Sequence, residues 1–179
     1  MLSRIDRINA FINKRNAELA KEKKEKEERL KELLDTVRGW STGLINLLDL
    51  GVYMYRNGVP LGPYDTSDPK YKENDSRMFV SNIFSHRVGF IIVYGKDENL
   101  PIRDRQIMFG IGIRGEGLFG VEDLCFGPDG ELKCPNNPFG SPSRFSGRNW
   151  NDKHTKLLEE FVRDFPKFEK EFYEYIDNL

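Results

Sequence analysis

The residues with the most chemical promise lie in the stretch Phe109-Gly-Ile-Gly-Ile-Arg-Gly-Glu-Gly-Leu-Phe-Gly120, where Gly110, Gly112 and Gly115 have GxGxxG spacing. Glycines so spaced cradle a pyrophosphate when a helix starts directly after them, because its N-terminus then faces the anion. Here another strand-like run follows, which points instead to strand bending and close packing. Gly115–Gly120 also has the spacing of a nucleotide-covering glycine loop. The lysine and the two aspartates that work with such a loop are missing from the rest of the chain.

Four other groups of residues have side chains that could do chemistry. Pro128-Asp129-Gly-Glu131-Leu-Lys133 has the residue types of a metal-dependent nuclease site. In such sites the first acid and the Glu-x-Lys strand come from separate places and converge on a metal. Residues of one β-turn cannot do that. His86 and His154 stand apart from any metal-ligand spacing and are expected to be surface or hydrogen-bonded side chains. Asp65, Asp68, Glu73 and Asp75 cluster without a calcium-loop pattern. Cys125 and Cys134 flank a tight turn and are expected as thiols rather than a redox pair. No catalytic residue, metal or cofactor is therefore expected.

One stretch has the composition of a binding surface. Arg144-Phe145-Ser-Gly-Arg148-Asn-Trp150, with Lys153 next, interleaves cations and aromatic rings as single-strand nucleic-acid binders do. The alternative is that Phe145 and Trp150 anchor the loop to the core while the arginines are solvated. The 28 basic and 29 acidic residues leave a formal net charge of −1. There is thus no global electrostatic argument for nucleic acid. Neither a continuous apolar signal-peptide core nor a membrane-spanning run is present, and the expected location is cytoplasmic.

Residues 1–50 read as one long helical pattern. Leu2, Ile5, Asn9, Ile12, Asn16, Leu19, Lys23, Lys26, Leu30, Leu33, Val37, Trp40, Leu44 and Leu47 alternate spacings of 3 and 4 residues, the seam of a heptad repeat. Its first part is apolar at Leu2, Ile5, Ile8, Phe11, Ile12 and Leu19. The middle, Lys21 to Arg29, is entirely charged and puts lysine at two seam positions. Glu22/Lys26, Glu25/Arg29 and Glu27/Lys31 are i,i+4 pairs that can support a solvated helix. Asn9 and Asn16 occupy successive first-seam positions, where asparagine can specify register and a two-stranded parallel pair. Glu22 would then face Glu27 of the partner, which repels. Gly39-Trp40-Ser41 is the point where one helix could stop and another begin.

Residues 51–179 read as an α+β body. Val52–Arg56 is β-prone and runs into Asn57-Gly58; a helix ending at that dipeptide is the competing reading. A long polar loop occupies 62–76. Strands are expected at Arg77–Phe84, Val88–Tyr94, Gln106–Arg114, Leu118–Phe126 and Glu131–Cys134, in an antiparallel sheet of four to five strands. Phe90, Ile92, Ile107 or Met108, and Ile111 should enter the core. The unbroken apolar run Val88–Tyr94 marks a central strand covered on both faces. After a Pro/Gly/Ser-rich loop, Asn151 or Asp152 should cap a final amphipathic helix. Its stripe of Leu158, Phe161, Phe165, Phe168, Phe172, Tyr175 and Leu179 should cover the sheet, with a kink or split near Asp164 caused by Pro166.

The expected function is non-enzymatic. A small intracellular protein is anticipated that acts by protein–protein binding through Leu2, Ile5, Ile8, Phe11, Ile12 and Leu19. Its partner would be a second copy, a host protein, or both. An adaptor, an immunity-type inhibitor, or a phage or mobile-element protein that blocks a host defence would have this character. The alternatives are nucleic-acid binding through loop 144–153 and an enzyme whose site the sequence does not reveal.

Overall fold

A computed structural model describes residues 3–65, 77–80, 84, 87–94, 107–113, 124–127, 130–133 and 150–179. The elements in chain order are α1 (Arg4–Gly39), α2 (Ser41–Arg56), β1 (Arg77–Val80), β2 (Val88–Tyr94), β3 (Ile107–Ile113), β4 (Leu124–Phe126), β5 (Leu132–Lys133) and α3 (Asp152–Asp177). The fold is α+β, with a long N-terminal helix, an antiparallel sheet and a C-terminal helix. Two compact units divide the chain, Met1–Asp35 and Thr36–Leu179.

The second unit is built on β2, β3 and β4. Strand β3 pairs antiparallel with both neighbours, Phe90 opposite Ile111 and Ile111 opposite Phe126. Strand β1 continues along the free side of β2, and β5 along that of β4. Side chains alternate across a strand, so this register aligns Val88, Ile113 and Leu124 in one row and Phe90, Ile111 and Phe126 in the next. Every one of these is fully buried. On the opposite face Ile91 and Cys125 are buried too, so β2 is covered on both sides over Val88–Ile91; the side chains of Ile92, Ile107 and Met108, also expected in the core, lie outside the described residues.

Helix α3 closes the Phe90 face. Asn151 caps it: the Asn151 side chain accepts from the backbone N–H of Lys153 and His154, at 3.0 and 3.1 Å. The Asn151 N–H in turn donates to His154 Nδ1 at 3.2 Å. This reciprocal capping box satisfies donors that a helix start otherwise leaves open. The aromatic stripe then meets the sheet row by row. Phe161 stacks on Phe126 with ring centroids 4.7 Å apart, while Phe168 and Phe172 meet Phe90 edge-on at 5.6 and 5.1 Å. Tyr175 is half-buried and donates its hydroxyl to the Pro60 carbonyl at 3.0 Å. Leu179, at the end of the predicted stripe, is exposed.

Helix α2 lies against the same face. Leu44, Leu47, Leu48, Gly51 and Met54 are its buried positions. A Cβ on Gly51 would stand 2.7 Å from Phe90 Cε1, so the α2 backbone rests directly on that ring. At the junction with α1, Trp40 stacks on Phe165 with centroids 4.9 Å apart. Arg38 Nε donates to Glu131 Oε1 at 2.9 Å, which ties the junction to the turn before β5. That turn closes with the Gly130 N–H on the Gly127 carbonyl at 3.0 Å. Arg87, at the entrance to β2, is ion-paired with the partly buried Glu160 of α3.

Two readings of the sequence are corrected. Val52–Arg56 is helical, not a strand. The apolar period Leu44, Leu47, Leu48, Gly51, Met54 runs past Gly51, and burial of that face outweighs the β-propensity of Val52 and the tyrosines. The helix ends at Asn57-Gly58, where Gly58 takes φ +69°. Val59 N–H donates to the Met54 carbonyl at 2.9 Å and Gly58 N–H to that of Tyr55 at 3.2 Å, a Schellman termination. The second correction concerns Pro166, which sits inside one continuous α3 and does not split it. Pro166 is exposed, while Phe161 before it and Phe168 and Phe172 after it are held by the same sheet, and Phe165 by Trp40. Their burial outweighs the lost hydrogen bond to the Val162 carbonyl.

Pro166 therefore remains a local cost within a helix that packing enforces. Pro166→Ala is expected to raise stability by up to about 3 kcal/mol, read as a higher denaturant midpoint with unchanged slope. The opposite sign is expected for Gly112→Ala. A Cβ at this position would lie 2.1 Å from the Leu124 carbonyl oxygen and 2.4 Å from Ile91 Cδ1. Overpacking of this kind should cost about 1–3 kcal/mol, measurable in the same titration.

Candidate interaction face

The Met1–Asp35 unit owes its helix to local chemistry. The Ser3 N–H donates to Asp6 Oδ2 at 2.9 Å and the Asp6 N–H to Ser3 Oγ at 3.1 Å, so a capping box starts α1 immediately before Ile5. The Ser-x-x-Asp spacing ahead of an apolar run was the signal for it; the sequence reading passed over it. Further along, Lys14–Glu18, Lys21–Glu25, Lys23–Glu27 and Lys24–Glu28 pair at 3.7 to 4.0 Å. Exposed pairs of this type add only about 0.2–0.5 kcal/mol each, but in succession they favour a helix into and through Lys21–Arg29, which has nothing apolar to bury.

The predicted contact residues lie on this helix. Ile5, Ile8, Phe11, Ile12 and Leu19 are all exposed, from 46% at Ile12 to 69% at Ile5. Leu2 lies outside the described residues. At 100° per residue Ile5, Ile8, Ile12 and Leu19 fall within one narrow stripe, and Phe11 widens it. Asn9 and Asn16 border the stripe and are exposed as well. The arrangement can make apolar contact with another surface and offers two side-chain amides for hydrogen bonding. Nothing in it suits bond-making chemistry.

The other sequence candidates separate in space or fall outside the described residues. Arg144, Phe145 and Arg148 lie outside them, as do His86, Cys134, Gly115 and residues 66–76. Trp150 is half-buried; its Nε1–H donates to Thr155 Oγ1 at 2.8 Å and its ring lies 5.3 Å from that of His154. It thus serves as a brace on the first turn of α3. Lys153 is exposed on that turn. Gly110 and Gly112 sit within β3, where a Cβ on Gly110 would stand 2.2 Å from Cys125 Sγ, so their small size is used in strand packing. Among the described residues no group of histidine, cysteine and acidic side chains could hold a metal. No described helix is long and apolar enough to cross a membrane. On α2, Tyr53 is exposed, a position that the strand reading of 52–56 hid.

The helix start carries a pH dependence. The Ser3 hydroxyl, and after it the Ser3 backbone N–H, hold the Asp6 carboxyl below the usual aspartate range. A carboxyl with a depressed pKa contributes stability above its unfolded value and loses it as pH falls through the folded value. The first turn of α1 should therefore stay helical at neutral pH and fray in strong acid, as read from backbone chemical shifts at Ser3–Arg7. In Asp6→Ala that acid transition should disappear. Compared with known proteins, the chain matches no family model, no curated protein and no solved structure.

Proposed function

We propose that this protein works by protein–protein association, with the exposed stripe of α1 as its contact and a second copy of the chain as partner. The observation that carries the reading is the exposure of Ile5, Ile8, Phe11, Ile12 and Leu19 along one side of a capped helix. Full burial of each such side chain is worth roughly 1.5–3 kcal/mol, so the stripe favours any partner that covers it. Single exposed apolar residues are ordinary, whereas a continuous stripe marks a contact. A small cytoplasmic inhibitor or adaptor, of the immunity-protein or phage anti-defence kind, fits this mode of action. In that case a host protein would be met by the dimer.

The test is the double variant Ile5→Asp/Ile12→Asp in the full chain. The intact protein should show a two-chain mass by light scattering at tens of micromolar. The variant should show a one-chain mass at the same concentration, with its circular dichroism still that of a folded α+β protein. The dimer loses four isoleucines, two from each chain; at roughly 1.5 kcal/mol each this is about 6 kcal/mol of burial, corresponding to a dimer weaker by about 10,000-fold or more. A one-chain mass for the intact protein would overturn self-association.

A further inference from the structure

We infer that α1 pairs with α1 of a second copy in parallel and in register over residues 5–19, and that the pairing ends at Lys23; this rests on the proposal above that the stripe meets another copy. The orientation follows from the polar residues beside the stripe. In a parallel, in-register pair Ile5, Ile12 and Leu19 each meet their own copy, and so do Asn9 and Asn16. Each asparagine amide has both a donor and an acceptor, so two copies can satisfy each other across the seam. Asparagine at first-seam positions favours this two-stranded, in-register state.

Antiparallel pairing meets the opposite condition. With Asn9 and Asn16 in the seam, Ile5 would face Asn16 of the other chain and Asn9 would face Ile12. Both amides would then be buried against isoleucine with no hydrogen-bond partner across the seam, so each would lose its hydration without replacement. If the seam shifts to Ile5, Ile8, Ile12, Arg15 and Leu19, a parallel pair sets Arg15 against Arg15, and an antiparallel pair sets it against Ile5. Only the parallel asparagine frame leaves every seam position with a matched partner.

The end of the pairing follows from charge. Lys23 and Lys26 continue the same seam and would meet their own copies, while Glu22 would face Glu27 of the partner. The ion pairs Lys21–Glu25, Lys23–Glu27 and Lys24–Glu28 already join neighbours within one helix. Their carboxylates thus have a local cation without a second chain. Like charges directly opposed across a seam repel, and this stretch has no apolar burial to offset the repulsion.

Cysteine cross-linking in the full chain tests orientation separately from mass. Ile5→Cys is oxidised alone, and also in a mixture with a size-tagged Asn16→Cys chain; the wild-type chain treated alike controls for Cys125 and Cys134. A disulfide needs its two Cβ atoms within about 4 Å. In the parallel pair Ile5→Cys should bridge to its own copy, with several-fold less product joining it to Asn16→Cys. In an antiparallel pair the two copies of position 5 are about 16 Å apart along the axis, and the mixed product should dominate. That result, or a two-chain mass with neither product, overturns the inference and leaves self-association standing. A one-chain mass by light scattering overturns both.

Discussion

The second unit depends on how closely two helices can approach the ring of Phe90. That ring is fully buried, with Gly51 of α2 on one side and Phe168 and Phe172 of α3 on another. A side chain at position 51 would push α2 off the sheet, because even a Cβ would stand 2.7 Å from the ring. Close-packed interiors tolerate such shifts poorly. Phe126, one row across the same face, takes Phe161 in a stacked contact. The two rows together set where α3 crosses the strands, and the Trp40–Phe165 stack brings the start of α2 to the same helix.

Aromatic packing on one sheet face also explains the tolerance of α3 for Pro166. A proline removes one helix hydrogen bond and crowds the preceding turn. Burial of several phenylalanines is worth more than that, at roughly 1.5–3 kcal/mol each. Polar contacts then refine positions instead of driving assembly. The Arg38–Glu131 pair is about half exposed and therefore weak, yet it sets the α1–α2 junction beside the β4–β5 turn. The Tyr175 hydroxyl does the same for Pro60, at the opposite end of α3 from the Asn151 cap.

The Met1–Asp35 unit obeys different physics. Its helix is favoured by an N-terminal capping box and a ladder of lysine–glutamate pairs, while its largest apolar side chains stay in water. Stability there is local and marginal, since isolated helices gain little without a packed face. A second surface would add the missing burial, which is why ordering of this helix and association are expected to reinforce each other. The charged middle keeps the apolar stripe short, and short seams give reversible contacts.

Much of this was legible in the sequence because period and punctuation are local. Alternation and an unbroken apolar run identified β2, and the 3–4 spacing of phenylalanines identified α3 and its buried side. The helix break at Gly39-Trp40-Ser41 and the turn at Gly127–Gly130 were visible in residue types alone, as was the apolar stripe of α1. What tertiary structure decided were the places where local preference and burial disagree. Val52–Arg56 has strand propensity, but it is helical because Gly51 and Met54 complete a face that packs on the sheet. Pro166 has the chemistry of a helix breaker, but the same sheet holds both sides of it. Gly110 and Gly112 have the spacing of a phosphate cradle; the closeness of Cys125 Sγ and the Leu124 carbonyl to where their Cβ atoms would stand shows why they are small. Propensity is worth at most about 1 kcal/mol per residue, outside proline. A buried aromatic contact exceeds that, so the sheet face had the final word.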